Sequence, residues 1–228
     1  MIYFYSILTL LAFYIGIRID QYWKSVIFSP FVLSLIILVI ILLIGKIPFE
    51  MYYKGNEPIN DLLPLSIVAL ALPLYEQLRQ IRRHWQIILT VTTLTSILSM
   101  GLGVGLSIIF GGTPEIVASI LPKSITTAMA TVIADHLGGI PSITAVSVVL
   151  AGLQGAILGY IILRKLGIND AESQGLAIGG VSHALGTVSC MNRNVEAGSY
   201  SSIALVLCGI ISSVLAPIIY KLVYFFIN

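Results

Sequence analysis

The residues of this chain best equipped for chemistry stand where a membrane helix should carry none. Gly175 to Asn192 reads GLAIGGVSHALGTVSCMN, which puts Ser182, His183, Thr187, Ser189 and glycines 175, 179, 180 and 186 inside an apolar run. Polar groups are costly in hydrocarbon, and a helix broken there frees backbone groups that no water satisfies. Such a segment persists only against other protein or around a polar cavity, which makes it a candidate binding site. His183 and Thr187 lie one turn apart on one face, with Ser182 and Gly186 beside them. A half-helix starting at such a break offers free N–H groups and the positive end of a dipole, which is what a carboxylate needs on leaving water. The packing alternative is a His183 that hydrogen-bonds a carbonyl, with the glycines allowing close helix contact.

A second set of polar residues precedes it. Lys123, Thr127, Thr131 and Asp135 recur every four residues, so on a helix they form one stripe about 18 Å long. Ser124 and Thr126 add hydroxyls at its start. This pattern reads either as a cavity wall, with Lys123 a cation for a carboxylate and Asp135 a coupling-ion site alongside His183, or as a short interfacial helix. Pro64 and Pro73 interrupt an earlier apolar segment. Pro73 removes a backbone hydrogen bond there, and Tyr75 is either a donor to a ligand or an interface anchor. Gly152, Gly155 and Gly159 read as a packing face. Ser182, His183 and Asp135 match no nucleophile motif or HExxH-type metal pattern, so the chain is not read as an enzyme, and no metal or cofactor is expected.

The elements that must position these residues are membrane helices. Of 228 residues, 57% are hydrophobic and 10% charged, with a mean hydropathy of +1.01, whereas soluble domains carry about a quarter charged residues. Runs such as Val26 to Ile44 and Ile140 to Leu163 approach the ~20 residues of a spanning helix. The net charge of +2 gives no reason to expect nucleic acid as a partner, and Cys190 and Cys208, both within apolar segments, read as packing residues. In Met1 to Ile17 the positive charge, Arg18, follows the apolar run, so this is a first helix and not a cleaved signal.

Eight hydrophobic segments can be drawn, centred near residues 10, 35, 70, 98, 130, 152, 183 and 211. If all cross, Lys and Arg divide six against six. If Lys123 to Leu137 enters and returns, they divide eight against four, as the positive-inside tendency favours. The expectation is therefore an all-α polytopic membrane protein with about seven transmembrane helices and one re-entrant or interfacial helix. The N-terminus lies outside and the C-terminus in the cytoplasm. Residues 1–228 form a single membrane domain with two inverted three-helix repeats, 26–113 and 138–226, whose middle helices are broken, a pattern found in secondary transporters.

Four stretches in order, PLSIVALALPLYEQ (Pro64 to Gln77), LPKSITTAMATVIADHLGGIPSITA (Leu121 to Ala145), GLAIGGVSHALGT (Gly175 to Thr187) and EAGSYSSIALVLCG (Glu196 to Gly209), resemble the signatures of the LrgB/CidB family. The resemblance implies a multi-pass protein of the bacterial cell membrane that works beside a small LrgA/CidA-type membrane protein; membrane lipids are further expected partners, and a homo-oligomer is left open. It implies two function classes. One is a carrier of a small carboxylate of the pyruvate or glycolate type. The other is a holin-like or antiholin-like modulator of murein hydrolase activity and autolysis. The family tends to place a cation shortly after the second motif's Gly-Thr. That position here is Ser189, and Arg193, one turn further, is the substitute candidate.

Overall fold

A computed structural model describes residues 2–23, 30–62, 65, 68, 71–76 and 78–227. Among the described residues there are helices and turns but no strand. The chain divides into two compact units, Met1–Val68 and Ala69–Asn228.

In the first unit, α1 (Ile2–Trp23) packs on α2 (Pro30–Ile44), with Gly16 lying against the Pro30 carbonyl. The short α3 (Phe49–Gly55) and α4 (Glu57–Asn60) return to α1. Their contact is polar. The Thr9 hydroxyl meets the Tyr52 hydroxyl at 2.8 Å and accepts from Asn56 Nδ2 at 3.0 Å, while Ser6 donates to the Gly55 carbonyl at 3.2 Å.

The second unit comprises α5 (Ala71–Glu76), α6 (Leu78–Arg83), α7 (Trp85–Ile109), α8 (Pro114–Ile120), α9 (Thr127–His136), α10 (Pro141–Lys165), α11 (Ala171–Arg193) and α12 (Val195–Ile227). Among the described residues, four helices are long and apolar enough to cross a membrane: α1 over Tyr3–Tyr22, α7, α10, and α12 over Val195–Phe225. The chain is a helical membrane protein on that ground. Of the interrupted segment expected at Pro64 to Gln77, residues 64, 66, 67, 69, 70 and 77 lie outside the described residues and Ala71–Glu76 is the helix α5.

Three long helices frame the second unit. Ile88 clusters with Ala204, the Thr92 carbonyl accepts from the Cys208 thiol at 3.6 Å, and Met100 and Val104 cluster with Ala216, so α7 and α12 run parallel. Val148 meets Cys208 while Leu163 meets Ala197, so α10 runs the other way. Between α7 and α10, α8 and α9 are seven and ten residues long, the longer about 15 Å, half of what a span requires. Lys123, at the turn between them, reaches Ser99 in the middle of α7, and the end of the pair returns to donate from Ile140 N to Ser119 Oγ at 2.7 Å. Residues 114–136 thus form a hairpin of two half-helices that enters and returns.

The α11 segment departs from expectation. The sequence predicts a crossing helix with an interruption; the structure has a second hairpin. At His183 the backbone turns to φ +41°, ψ −139°, after Ser182 at φ −130°, ψ 17°. A Cβ built on Gly186 would stand 2.8 Å from Ile178 Cγ2, although eight residues of straight helix separate two positions by about 12 Å. Ile178 and Cys190 share one buried cluster. The neighbouring helices record the same reversal. Gly175 and Gly179 lie on Ala197 and Ser201 of α12, after which Thr187 meets Ser201 and Met191 meets Gly198 in descending order. One arm, 171–181, therefore runs alongside α12 in its own direction, and the other, 184–193, runs against it. Helix contact in lipid relies on close van der Waals approach, and these glycines permit it. The first arm is started by Asp170, whose carboxylate accepts from Ser173 N at 2.7 Å. The Ser173 hydroxyl and then this N–H hold the carboxyl below the usual carboxylate range.

Two predictions follow from this geometry. In a Cys208→Ser background, Ile178→Cys and the native Cys190 should be joined by a short bifunctional thiol reagent, read as an intrachain cross-link by mass spectrometry. A straight helix would hold them about 18 Å apart and leave them unlinked. Asp170→Ala should cost about 1 kcal/mol in thermal unfolding in detergent near neutral pH. Because the folded carboxyl is depressed, that contribution is present above its unfolded value and fades as pH falls through the folded one, so the two proteins should converge in acid.

Candidate functional site between two hairpin tips

The two hairpins enter from opposite ends of the second unit, and their tips converge on the same residues of α10 and α12. Ile125, in the first tip, packs in one buried cluster with Val148 and Cys208. His183, in the second tip, donates from Nε2 to the Val148 carbonyl at 2.7 Å. A carbonyl only accepts, so Nε2 carries the proton and the bond needs no charge on the ring. Gly180, just before the second tip, faces Thr95 of α7 and the Cys208 sulfur.

The second tip is densely satisfied. Ser182 donates to the Ile178 carbonyl. Thr187 donates to the His183 carbonyl at 2.9 Å or shares a proton with Ser201 Oγ, also at 2.9 Å. Ser182, His183 and Thr187 are buried, and Gly186 sits against the Ser182 side chain. The space for them comes from α10. A Cβ on Gly152 would overlap the His183 imidazole, and one on Gly155 would overlap the Ser182 side chain. The glycine stripe read as a packing face is the socket of the tip. The φ of His183 lies where glycine is at ease and other residues are strained, so packing and hydrogen bonds must hold it there.

The first tip holds charge. Lys123 Nζ donates to the Ser99 carbonyl at 3.0 Å and to Ser99 Oγ at 2.9 Å, and Ser99 Oγ is hydrogen-bonded to Ser124 Oγ. Thr126 begins α9 without capping it, and among the described residues its buried hydroxyl oxygen has no hydrogen-bond partner. The Thr127 carbonyl accepts from Thr131 at 2.9 Å. Among the described residues the ion pair found is His84 with Glu172 at 3.9 Å, well away from Lys123 in the chain, so no carboxylate neutralises this ammonium.

The remaining candidates lie apart. Asp135 is exposed at the far end of α9, as an interfacial position would be, and not among the buried polar groups. Arg193 stacks its guanidinium 4.4 Å over the Tyr160 ring, and Ser189 donates to the Ala156 carbonyl at 3.3 Å. The four-residue spacing does put Ser189 and Arg193 on one face, but that face meets α10, with Arg193 about 9 Å along the arm from Thr187. Tyr75 is 71% exposed on α5, and Pro73 lies within the same short helix. No cluster of three or more His, Cys, Asp or Glu suited to a metal occurs among the described residues. A concavity of about 640 Å³, lined by Tyr5, Lys54, Glu57, Asn60 and Asp61 among others, belongs to the first unit and holds none of these residues.

Ser99 and Ser201 are the site residues that sequence reasoning missed. A signal for Ser99 existed: Thr92, Ser96, Ser99, Gly103 and Ser107 form a stripe on one face of α7, and all are buried.

Residues 9–222 match the LrgB-like family. The chain is 60% identical over 226 residues to an uncharacterized protein of Haemophilus influenzae, covering 99% of this chain and 98% of that one. It is 33% identical over 218 residues to the holin-like protein CidB of Staphylococcus epidermidis, covering 96% and 95%. It is 32% identical over 219 residues to the holin-like protein CidB of Staphylococcus aureus, again covering 96% and 95%. No solved structure matches.

The socket gives a graded prediction. Gly152→Ala meets a buried imidazole fixed by its own hydrogen bond and should destabilise the protein by about 1–3 kcal/mol. Gly159→Ala meets only the Ile178 side chain, Cγ1 at 3.1 Å and Cδ1 at 3.4 Å, and should cost less than Gly152→Ala, about 1 kcal/mol or below. Thermal unfolding of both in the same detergent checks the order. Equal losses would mean that His183 does not occupy this place.

Proposed function

The chain belongs to the LrgB-like family, and from that premise we propose that it is a secondary carrier of a small monocarboxylate, of the pyruvate or glycolate type, in the bacterial cell membrane. One observation carries this reading: two half-helix hairpins, entering from opposite ends, meet inside the protein at Val148 with polar tips. Discontinuous helices meeting within a membrane are how many carriers build a site reachable from either side. Half-helix N-termini attract anions, and His183, Ser182 and Thr187 supply further donors. The hydrogen bonds inside the second tip describe a closed arrangement, and release of His183 from Val148 is the step that opens it. A small LrgA/CidA-type protein completes the carrier in the cell.

The orientation follows from charge. Arg79, Arg82 and Arg83 precede α7, Arg164 and Lys165 end α10, and Arg193 precedes α12, all at one end of the second unit, while Lys221 lies toward the other. The first end faces the cytoplasm by the positive-inside tendency. With the second hairpin returning to that end, α12 then finishes outside, opposite to the expectation drawn from seven crossings.

A holin-like modulator of murein hydrolase activity is the second reading, favoured by the names of the staphylococcal relatives. Proteoliposomes separate the two. A carrier gives saturable uptake of radiolabelled pyruvate, lactate, glycolate or glycerate, with or without the small partner, and excludes unrelated solutes of equal size. His183→Ala should reduce uptake at least about tenfold, the loss of one buried donor from an anion site. Uptake absent for every acid under both conditions, or leakage of all solutes alike, overturns the carrier reading.

A further inference from the structure

We infer that Lys123, Ser99 and Ser124 form the seat of a single negative charge, so that the first hairpin tip is where an anion's carboxylate binds. The inference rests on the carrier reading and adds the position of the charge. Lysines near helix ends extend to the membrane surface and need no partner. Lys123 does otherwise. Its ammonium bonds to Ser99, ten residues or about 15 Å of helix from the end of α7 at Ile109, and its stem lies over Gly103, where a Cβ would stand 3.4 Å from Lys123 Cε. A lysine held this far inside a membrane protein stays charged only where an anion or strong acceptors meet it, and among the described residues no carboxylate is within ion-pair reach. A mobile anion completes it.

The donor inventory fits. An ammonium has three N–H groups, and two are spent on Ser99. Ser99 and Ser124 share one hydrogen bond, which uses one of their two hydroxyl protons and leaves the other for an outside acceptor. The Thr126 hydroxyl, three residues from Lys123, is also uncommitted. One positive charge with two or three spare donors matches a monocarboxylate. A dicarboxylate would leave its second charge unmatched.

The test separates binding from transport. Detergent-purified protein is titrated with lactate and acetate, and with lactamide and acetamide as uncharged counterparts, and the rise in melting temperature gives a midpoint concentration. Uptake is measured separately in proteoliposomes. The acids should stabilise the wild type and the amides should not. Lys123→Gln should raise the acid midpoint at least about tenfold, Lys123→Arg should restore most of it, and Ser99→Ala should fall between. Should Lys123→Gln fail to fold, the Ser99→Ala, Ser124→Ala double variant carries the same expectation of a raised midpoint. An unchanged midpoint in these variants, with uptake intact in the wild type, overturns the site and leaves the carrier reading standing. Lysine-dependent stabilisation without uptake of any acid upholds the site and overturns the carrier reading. No stabilisation of the wild type by either acid overturns the site whatever the uptake.

Discussion

A backbone that turns round inside a membrane protein must find its own hydrogen-bond partners, and the reversal at Ser182–His183 is organised by that need. The imidazole reaches across to the Val148 carbonyl, Ser182 bonds back to Ile178, and Thr187 bonds to His183 and Ser201. These bonds require α10 and α12 to come unusually near. Gly152 and Gly155 admit the His183 and Ser182 side chains, and Gly179 lies on the Ser201 backbone. The strained φ of His183 is thus held by contacts on both flanking helices.

The first hairpin meets the same constraint with charge. Its turn projects Lys123 and Ser124 onto Ser99, and Ile125 onto the residue whose carbonyl accepts from His183. Val148 and Cys208 therefore stand between two tips of different chemistry, one cationic and one neutral and hydroxyl-rich. A shift of either tip changes what the other packs against. In the carrier proposed above, that coupling would let one hairpin loosen while the other continues to seal.

Much of this was legible in the sequence, for reasons that differ by residue. The glycines and hydroxyls around His183 announce a break because lipid tolerates no exposed polar backbone. The Lys123 to Asp135 stripe marks a short segment because it is too polar and too brief to cross. What the sequence concealed was direction. Twenty-three residues with an interruption have the length of one crossing, and it is the contacts of Ile178 with Gly186 and Cys190, and of both arms with α12, that reveal two antiparallel arms. Ser99 was hidden for a related reason: a serine in an apolar helix is ordinary until the lysine that seeks it is placed. Asp135 and Arg193 carried charge at suggestive spacing, but both lie at arm ends, where spacing alone cannot tell a site from a surface.

The central claim is that Ala171–Arg193 enters and returns, so that its tip meets the first hairpin. Side-specific labelling tests it most directly. In a background with Cys190 and Cys208 replaced by serine, Asp170→Cys and Asn194→Cys are exposed in turn to a membrane-impermeant thiol reagent, applied to whole cells and to inverted vesicles. Both positions should label from the cytoplasmic face only. Labelling of Asp170→Cys from one face and Asn194→Cys from the other would make the segment a crossing helix and contradict the account.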